Sequence, residues 1–504
     1  MTSRRARPIR TPGALHQPPF GQVPRRLGPL PVISADQVEA IHHAALRVLA
    51  ETGLRVLCPT ARDLYARAGA RLDQDMVRLD PAMIAAHLAT VPASFTLEAR
   101  NPARNLRLGG DQTIFASVGG PAYVMDLDRG RRDGTLAEMG DYLRLIQSLN
   151  VIHQEGGGPF EPMDLPAATR HLDICAAQIT LLDKSWQGQT LGRARTMDNL
   201  AMAALALGTT PEGLRDRPTV LGIINTNSPL QLDIPMAEGL VALAEHGQVN
   251  VITPFTLAGA MAPVTLAGAL TLQHAEALAG IALTQIVRPG VPVMYGGFTS
   301  NVDMRSGAPA FGTPEYAKAA LASGQLARLI GVPFRSSNVC AANAVDAQAA
   351  YESQMALWGA LLGGAHLVNH AAGWMHGGLT ASYEKLILDA EMLGMMQAMM
   401  EPVATDPAAL ALEAIASVGP GGHFFGADHT QSRYQTAFHT PMLSNWDNHP
   451  QWLARGSVTA EQRANAIWKD LLASYEQPAL DPARAEAIAA YVTRRKAQGG
   501  APMN

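Results

Sequence analysis

The chain has 504 residues, 47% hydrophobic and 16% charged, with a formal net charge of −4. That material excludes both a small-scaffold fold and an intrinsically disordered protein. Charge is scattered beyond the first thirty residues, so no basic face announces a nucleic acid or an anionic membrane surface. Cys58, Cys175 and Cys340 are odd in number and widely spaced, which argues against a disulfide framework and for a reducing compartment, the cytoplasm.

Residues 1–33 set six arginines among prolines and lack the apolar run of a signal peptide, so they read as a flexible solvated tail. Later apolar stretches are broken by Gly, Pro or charge before the ~18 residues that a membrane span needs. Residues 34–112 begin with a capping-box pattern, Ser34 and Gln37, and a helical face of Val38, Ile41, Ala45, Val48 and Leu49. Short pieces of changing period follow, as in a small α+β subdomain.

From Ile114 the pattern becomes regular. Strands are expected in IFASV (from Ile114), VIHQEGG (Val151), KSWQGQ (Lys184), TVLGIINT (Thr219), NVITPFT (Asn250), VPVMYGGF (Val291), VPFRSSN (Val332) and AHLVNHAAG (Ala365). Helices open near Thr135, Pro166, Arg193, Pro235, Pro263, Thr313, Asp346 and Ser382, several at residue types that start helices. Strict alternation of eight strands and eight helices over 113–400 predicts an α/β fold, a (β/α)8 TIM barrel. No Gly-x-Gly-x-x-Gly turn follows the first strand, which weighs against an open doubly wound sheet. The stripe Met392, Met395, Met396 and Met399 lies at helical spacing and reads as core.

Residues 401–504 form a C-terminal extension. Residues 419–456 are rich in Gly, His and aromatics without a period, which predicts a long ordered loop, functional or interfacial. A helical face of Ala464, Ile467, Trp468, Leu471, Leu472 and Tyr475 follows, and a last helix opens after Asp481. These would pack on the barrel or on a second copy, so a homo-oligomer is expected.

In such barrels the active site lies at the carboxyl ends of the strands. The residues placed there include Glu155, Gln187, Phe255, Tyr295, Phe298, Asn301, Arg335, Asn338, Cys340, His370 and Trp374. Only Glu155 and Arg335 are permanently ionised, unlike the carboxylate pairs of glycosidases or the clustered cations of phosphate sites. His366 and His370 on one strand stand about 13 Å apart, too far to share an ion, so no metal site is expected. A zinc-dependent methyltransferase or lyase survives as the alternative, through Cys340 and loop histidines. The run Gly156–Gly158 either cradles an anion or permits a tight turn. Several rings among Tyr123, Trp186, Tyr295, Phe298 and Trp374 can converge at the barrel mouth, and a few ring faces there would suit a quaternary ammonium group, at roughly 0.5–2 kcal/mol per ring.

Long motifs carry a resemblance. They are YGGFTSNVDMRSGAPAFG from Tyr295, TPEYAKAALASGQLARLIGVPFRSSN, VDAQAAYES, HAAGWMHGGLTASYEKLILDAEMLGMM from His370, and GPGGHFFGADHT. In order and spacing the chain from about residue 35 onward resembles the trimethylamine methyltransferase family. The resemblance implies a (β/α)8 barrel that passes a methyl group from an amine to the cobalt of a separate corrinoid protein. Founding members carry pyrrolysine, whereas the corresponding segment here, SSNVCAANAVDAQ, holds only ordinary residues. The chain therefore resembles the non-pyrrolysine branch, whose members demethylate quaternary amines such as glycine betaine.

This resemblance implies that the corrinoid (a cobalamin) is carried by a partner protein, with no cofactor held tightly by this chain and no nucleic-acid or membrane partner. In that reading Tyr295, Phe298 and Trp374 bracket the ammonium and Glu155 balances its charge. Arg335 or Arg305 anchors a substrate carboxylate, and Asn301, Asn338 and His370 orient the substrate. A non-catalytic onium-binding protein on the same barrel is the remaining alternative.

Overall fold

The computed structural model describes Leu15 and residues 17–501. Eight parallel strands run β1 (Gln112–Ser117), β2 (Gln154–Glu155), β3 (Ser185–Trp186), β4 (Leu221–Ile224), β5 (Val249–Ile252), β6 (Val293–Gly296), β7 (Phe334–Ser337) and β8 (Leu367–Ala372). They neighbour one another in the order β3-β2-β1-β8-β7-β6-β5-β4. A parallel bridge between Gln187 and Leu221, with the Gly188 amide donating to the Leu221 carbonyl at 2.9 Å, joins the two ends. The barrel is thus closed, as the alternation predicts.

Each strand is followed by its helix: α1 (Leu136–Ser148), α2 (Arg170–Leu181), α3 (Arg193–Leu207), α4 (Ile234–Glu245), α5 (Leu266–Val287), α6 (Pro314–Leu329), α7 (Ala347–Leu362) and α8 (Tyr383–Met400). Thr135, Thr313, Asp346 and Ser382 cap α1, α6, α7 and α8 with their side-chain oxygens, satisfying amides that a helix start leaves free. Helix α2 opens at Arg170 rather than Pro166, whose carbonyl belongs to a preceding turn.

The barrel interior is layered. Ile114, Ala116, Leu221, Val249, Val251, Met294 and Leu367 fill its lower part. Leu97, Leu106 and Leu108 join them from a hairpin, Ser94–Leu97 with Leu106–Gly109, that closes the amino-terminal end. Above that floor Gln187 Nε2 donates to Asn369 Oδ1 at 2.8 Å and to Gln154 Oε1 at 3.2 Å. A polar layer therefore sits on an apolar plug, and chemistry is confined to the other end.

Helix α5 overturns the expectation that every apolar stretch is broken before the length of a membrane span: despite Gln273, His274, Glu276 and Gln285, by length and composition alone it could cross a membrane. Its surroundings account for the composition. Helices Ala35–Arg47 and Pro81–Leu88 of the N-terminal α+β region cover the face that an ordinary barrel helix leaves in water. His42 of that region meets His274 of α5 at 2.8 Å.

Two further expectations need correction. The described part of residues 1–33 is tied down: Val23–Pro24 pairs with Gln112 and Thr113, and the Arg25 guanidinium bonds the carbonyls of Gly110, Gln112 and Ala365. Carbonyl partners make this arginine an anchor instead of a solvated charge; residues 1–14 and His16 lie outside the described residues. The methionine stripe also divides. Met392 and Met396 are buried, but Met395 and Met399 face outward.

The C-terminal helices pack back on the barrel. Ala460–Ala473 lies on α8, with Trp468 Nε1 donating to Glu384 at 2.9 Å. Pro482–Ala497 docks on α2 and α3, where Asp198 accepts from His171, Tyr491 and Arg495.

Candidate active site

Two small sheets rim the carboxyl end of the barrel. One joins Phe255–Ala258, Phe298–Val302 and Pro309–Ala310; the other joins Tyr123–Asp126, Gly130–Asp133, Trp374–Met375 and Thr380–Ser382. They are built from segments that follow β1, β5, β6 and β8, and they carry aromatic side chains inward. Phe298 stands 5.2 Å from Phe255, 5.9 Å from Phe311, 6.1 Å from Trp374 and 6.4 Å from Tyr316, centroid to centroid. Trp374 in turn lies 4.4 Å from His370 and 6.3 Å from Phe311. Edge-to-face and tilted contacts of this kind join the rings into one aromatic cluster at the mouth.

Strand β8 reaches this cluster through a bulge. Its pairing with β1 runs Leu367 to Ile114 and Val368 to Phe115, then jumps to Ala372 with Ser117. His370 sits in the extra stretch with φ of +62°, a left-handed conformation that costs a β-substituted residue of order 1–3 kcal/mol and needs support around it. Asn338 Nδ2 donates to the Ala371 carbonyl at 2.8 Å, and Asp389 Oδ2 accepts from the Gly373 amide at 2.8 Å. His370 Nδ1 accepts from the Gly119 amide at 3.2 Å, so the ring proton resides on Nε2. Burial, reinforced by Arg335, holds the imidazole well below its ordinary pKa, and it is neutral.

Arg335 of β7 is 1% exposed, and its guanidinium lies 5.3 Å over the Phe298 ring. Its Nε and Nη1 have no hydrogen-bond partner, and no acidic side chain among the described residues pairs with it. Burial pushes its pKa down to about 10, leaving it charged at neutral pH. Trp374 Nε1, Ser336 Oγ, Ser337 Oγ and Asn338 Oδ1 are likewise buried without partners. So many orphaned polar atoms at one end of a barrel describe a site shaped for a polar guest, because an unmatched buried charge is otherwise too costly to keep.

The expected residues separate into two groups. Phe298, Trp374, Arg335 and His370 come together, with Asn338 supporting the bulge from behind. Tyr295 does not join them: its hydroxyl meets Gln273 and His274 of α5 at 3.1 and 3.2 Å, on the helix side of β6. Glu155 also turns outward. Its carboxylate accepts from the Gly157 and Gly158 amides at 3.0 and 2.7 Å and from Gln178 of α2. The glycine run thus cradles the chain's own carboxyl group, which burial keeps from being the permanently ionised group expected from the sequence. A Cβ on Gly156 would come within 2.2 Å of the Ser117 carbonyl, which fixes glycine there. Asn301 bonds Thr313, the cap of α6, at 3.1 Å, and Arg305 is exposed. Phe311 and Tyr316 were not expected; Phe311 has no periodic signal, and Tyr316 reads as an ordinary helix-face residue.

Glu155 carries a pH prediction. Burial outweighs its donors and pushes its pKa up to about 7 from an ordinary 4.5. The folded carboxyl holds its proton longer than the unfolded one, so this contribution to stability is full below about pH 4.5 and is lost as pH rises through 7, on the order of 3 kcal/mol in all. Urea unfolding of wild type and Glu155→Gln at pH 5 and pH 8 should show the variant gaining relative to wild type at the higher pH. Parallel pH profiles would contradict it.

The ligand set for the zinc alternative does not assemble. Among the described residues no group of three or more His, Cys, Asp or Glu side chains could hold an ion. Burial pushes the Cys340 thiol up to about 12, His366 accepts from the Phe334 amide at 2.9 Å, and His376 pairs with Thr380 at 2.8 Å.

The family model of trimethylamine methyltransferase (MTTB) matches residues 2–500. The chain belongs to that family. It is 37% identical over 470 residues to a glycine betaine methyltransferase of Desulfitobacterium hafniense strain Y51, covering 93% of this chain and 98% of the relative. It is 26% identical over 474 residues to a proline betaine:corrinoid methyltransferase of Eubacterium limosum, covering 91% and 96%. The crystal structure of the Methanosarcina barkeri monomethylamine methyltransferase superposes with a TM-score of 0.54 over 90% of each chain at 10% identity, which supports the barrel fold alone. In this trimethylamine methyltransferase family member the mouth buries a guanidinium that a ligand without an acidic group would leave unmatched.

Proposed function

We propose that this family member is a quaternary amine:corrinoid protein methyltransferase acting on a carboxylate-bearing betaine of the glycine betaine type. The observation that carries the reading is Arg335, buried, charged and unpartnered beside an aromatic cluster. A betaine is a zwitterion whose cation and carboxylate are a few bonds apart. Phe298, Trp374 and Phe311 offer ring faces to the methylated nitrogen, and the Arg335 fork takes the carboxylate. The neutral His370 offers its Nε2 proton as an orienting donor. The relatives named for betaine substrates support the same class.

A corrinoid on a separate protein would supply a cobalt(I) nucleophile that accepts the methyl group. Neutral donors and rings around the mouth fit a group brought from outside, with the substrate seated beneath it. What this chain's residues contribute is binding, orientation and exclusion of water, holding one methyl carbon outward. A quaternary nitrogen leaves as a neutral tertiary amine, so no general acid is needed, which agrees with a site that contains a neutral imidazole and no free carboxyl.

The test is a panel of glycine betaine, proline betaine, choline and trimethylamine incubated with enzyme and reduced corrinoid protein, read by the absorbance of methylcobalt formation. Betaines should react, and choline and trimethylamine, lacking a carboxylate, should lag. Preference for trimethylamine would refute the betaine assignment, and binding without transfer by any compound would favour the onium-binding alternative. Phe298→Ala should weaken betaine binding by roughly 2- to 30-fold in calorimetry, the worth of one ring; unchanged affinity would remove Phe298 from the cage.

A further inference from the structure

One side chain holds the aromatic cluster from behind. Gln273 of α5 is fully buried, and all four of its hydrogen-bonding positions are filled. Its Oε1 accepts from the Phe298 amide at 3.1 Å and from the Thr299 hydroxyl at 2.7 Å, while Nε2 donates to Tyr295 Oη at 3.1 Å and to Ser323 Oγ of α6 at 2.9 Å. A backbone amide can only donate, so the Phe298 bond settles which end of the Gln273 side chain is the oxygen. The neighbouring bonds agree: Tyr295, receiving from Gln273, gives its own proton to His274 Nδ1 at 3.2 Å, and Thr256 donates in turn to Thr299.

What Gln273 fixes is a turn. Strand β6 ends at Gly296, and the chain passes through Gly297 into the rim strand that begins at Phe298. Two consecutive amides there are held by different walls: Gly297 donates to the Arg335 carbonyl of β7 at 2.9 Å, and Phe298 donates to Gln273. A Cβ on Gly297 would come within 2.8 Å of Ser323, so the turn is pressed against α6. The 5.3 Å between the Phe298 ring and the Arg335 guanidinium is therefore set by a backbone bond on one side and by Gln273 on the other.

We infer that Gln273 is a positioning residue that sets the length of the substrate: by holding Phe298 at a fixed reach from Arg335, it selects betaines with one carbon between nitrogen and carboxylate over those with two. The inference rests on the betaine reading of the site. In that reading the ring takes the ammonium and the guanidinium takes the carboxylate, so a ligand must satisfy two fixed ends at once. Ends this close suit the shorter zwitterion, and a longer one has to displace one of them. Displacing Phe298 would strand its buried N–H and break a network that runs through Tyr295 and His274 to His42. Gln273 thus acts through the backbone of Phe298, at one remove from the substrate.

Calorimetric titration with glycine betaine and with its homologue one methylene longer tests this. Wild type should favour the shorter ligand by about 10-fold or more, the ordinary worth of a methylene in a fitted site. Gln273→Leu should erode that ratio to about 3-fold or less. Gln273→Glu, kept protonated by burial, retains the acceptor for Phe298 and should restore the ratio. In a Phe298→Ala background Gln273→Leu should change the ratio no further, as expected of two residues acting as one unit. If Gln273→Leu does not fold, the isosteric Thr299→Val, which removes one of the two bonds to Oε1, should erode the ratio in the same direction by about 2-fold or more. A wild type that binds both ligands alike, a ratio unmoved by these variants, or a Gln273→Glu protein no better than Gln273→Leu would overturn the inference while leaving the betaine reading intact. Failure of wild type to bind either ligand would sink that reading and this inference together.

Discussion

Arg335→Met should yield a protein that melts higher than wild type and transfers methyl groups from betaines poorly. The guanidinium is fully buried with two nitrogens unmatched, so replacing it by an apolar side chain of similar length removes a desolvation penalty. Exchanges of buried charge for well-packed apolar side chains are worth about 1–4 kcal/mol, which for a chain this long is a rise of a few degrees in Tm. Losing the charge-assisted bonds to a carboxylate costs about 2–4 kcal/mol of substrate binding, a drop in kcat/KM of roughly 30- to 1,000-fold. Choline, with no carboxylate, should be nearly indifferent to the change, so the ratio of betaine to choline reactivity collapses. Scanning calorimetry and initial rates on both substrates check this. A lower Tm together with equal losses on both would mean that Arg335 holds the barrel together and does not read the substrate.

Asp389→Asn should be among the most destabilising single changes in the molecule. Asp389 and Lys385 form a wholly buried pair at 2.5 Å, with Ser353 also bonded to the ammonium at 2.7 Å. An asparagine leaves the ammonium without a counter-charge, at a cost of about 3–5 kcal/mol. Its one acceptor oxygen can serve Lys385 or the Gly373 amide, not both, whereas the carboxylate serves both. The Gly373 bond pins the β8 bulge that delivers His370 and Trp374, so activity should fall beyond what the folded fraction explains. Adding Lys385→Met should restore most of the stability and little of the activity. A double-mutant cycle in urea, with kcat and KM measured at a temperature where every variant is folded, separates the two effects. A coupling below about 0.5 kcal/mol would show the pair to be bystanders.

The barrel was legible because strand and helix periods alternate eight times and because Thr135, Thr313, Asp346 and Ser382 announce their helices as capping residues. Which way each strand residue faces was not. A strand buried on both faces carries no polarity alternation to read, so nothing in VMYG says that Met294 turns into the barrel and Tyr295 toward α5. The same one-residue parity separates Gln154, which faces Gln187 inside, from Glu155, which faces α2. The rim sheets escaped for another reason. Tyr123–Asp126 pairs with Thr380–Ser382 some 250 residues away, and no local pattern encodes such a partner. Arg335 was visible as a lone cation at a strand end; its want of a partner became visible only in three dimensions.

The hairpin plug beneath the polar layer has a kinetic corollary. With the other end of the barrel plugged, and on the reading that a separate corrinoid protein covers the mouth during transfer, the methyl donor would have to be aboard before the acceptor protein arrives, and the demethylated amine would stay captive until that protein departs. Turnover would then follow a compulsory-order scheme, with excess acceptor protein inhibiting by occupying the threshold of an empty enzyme.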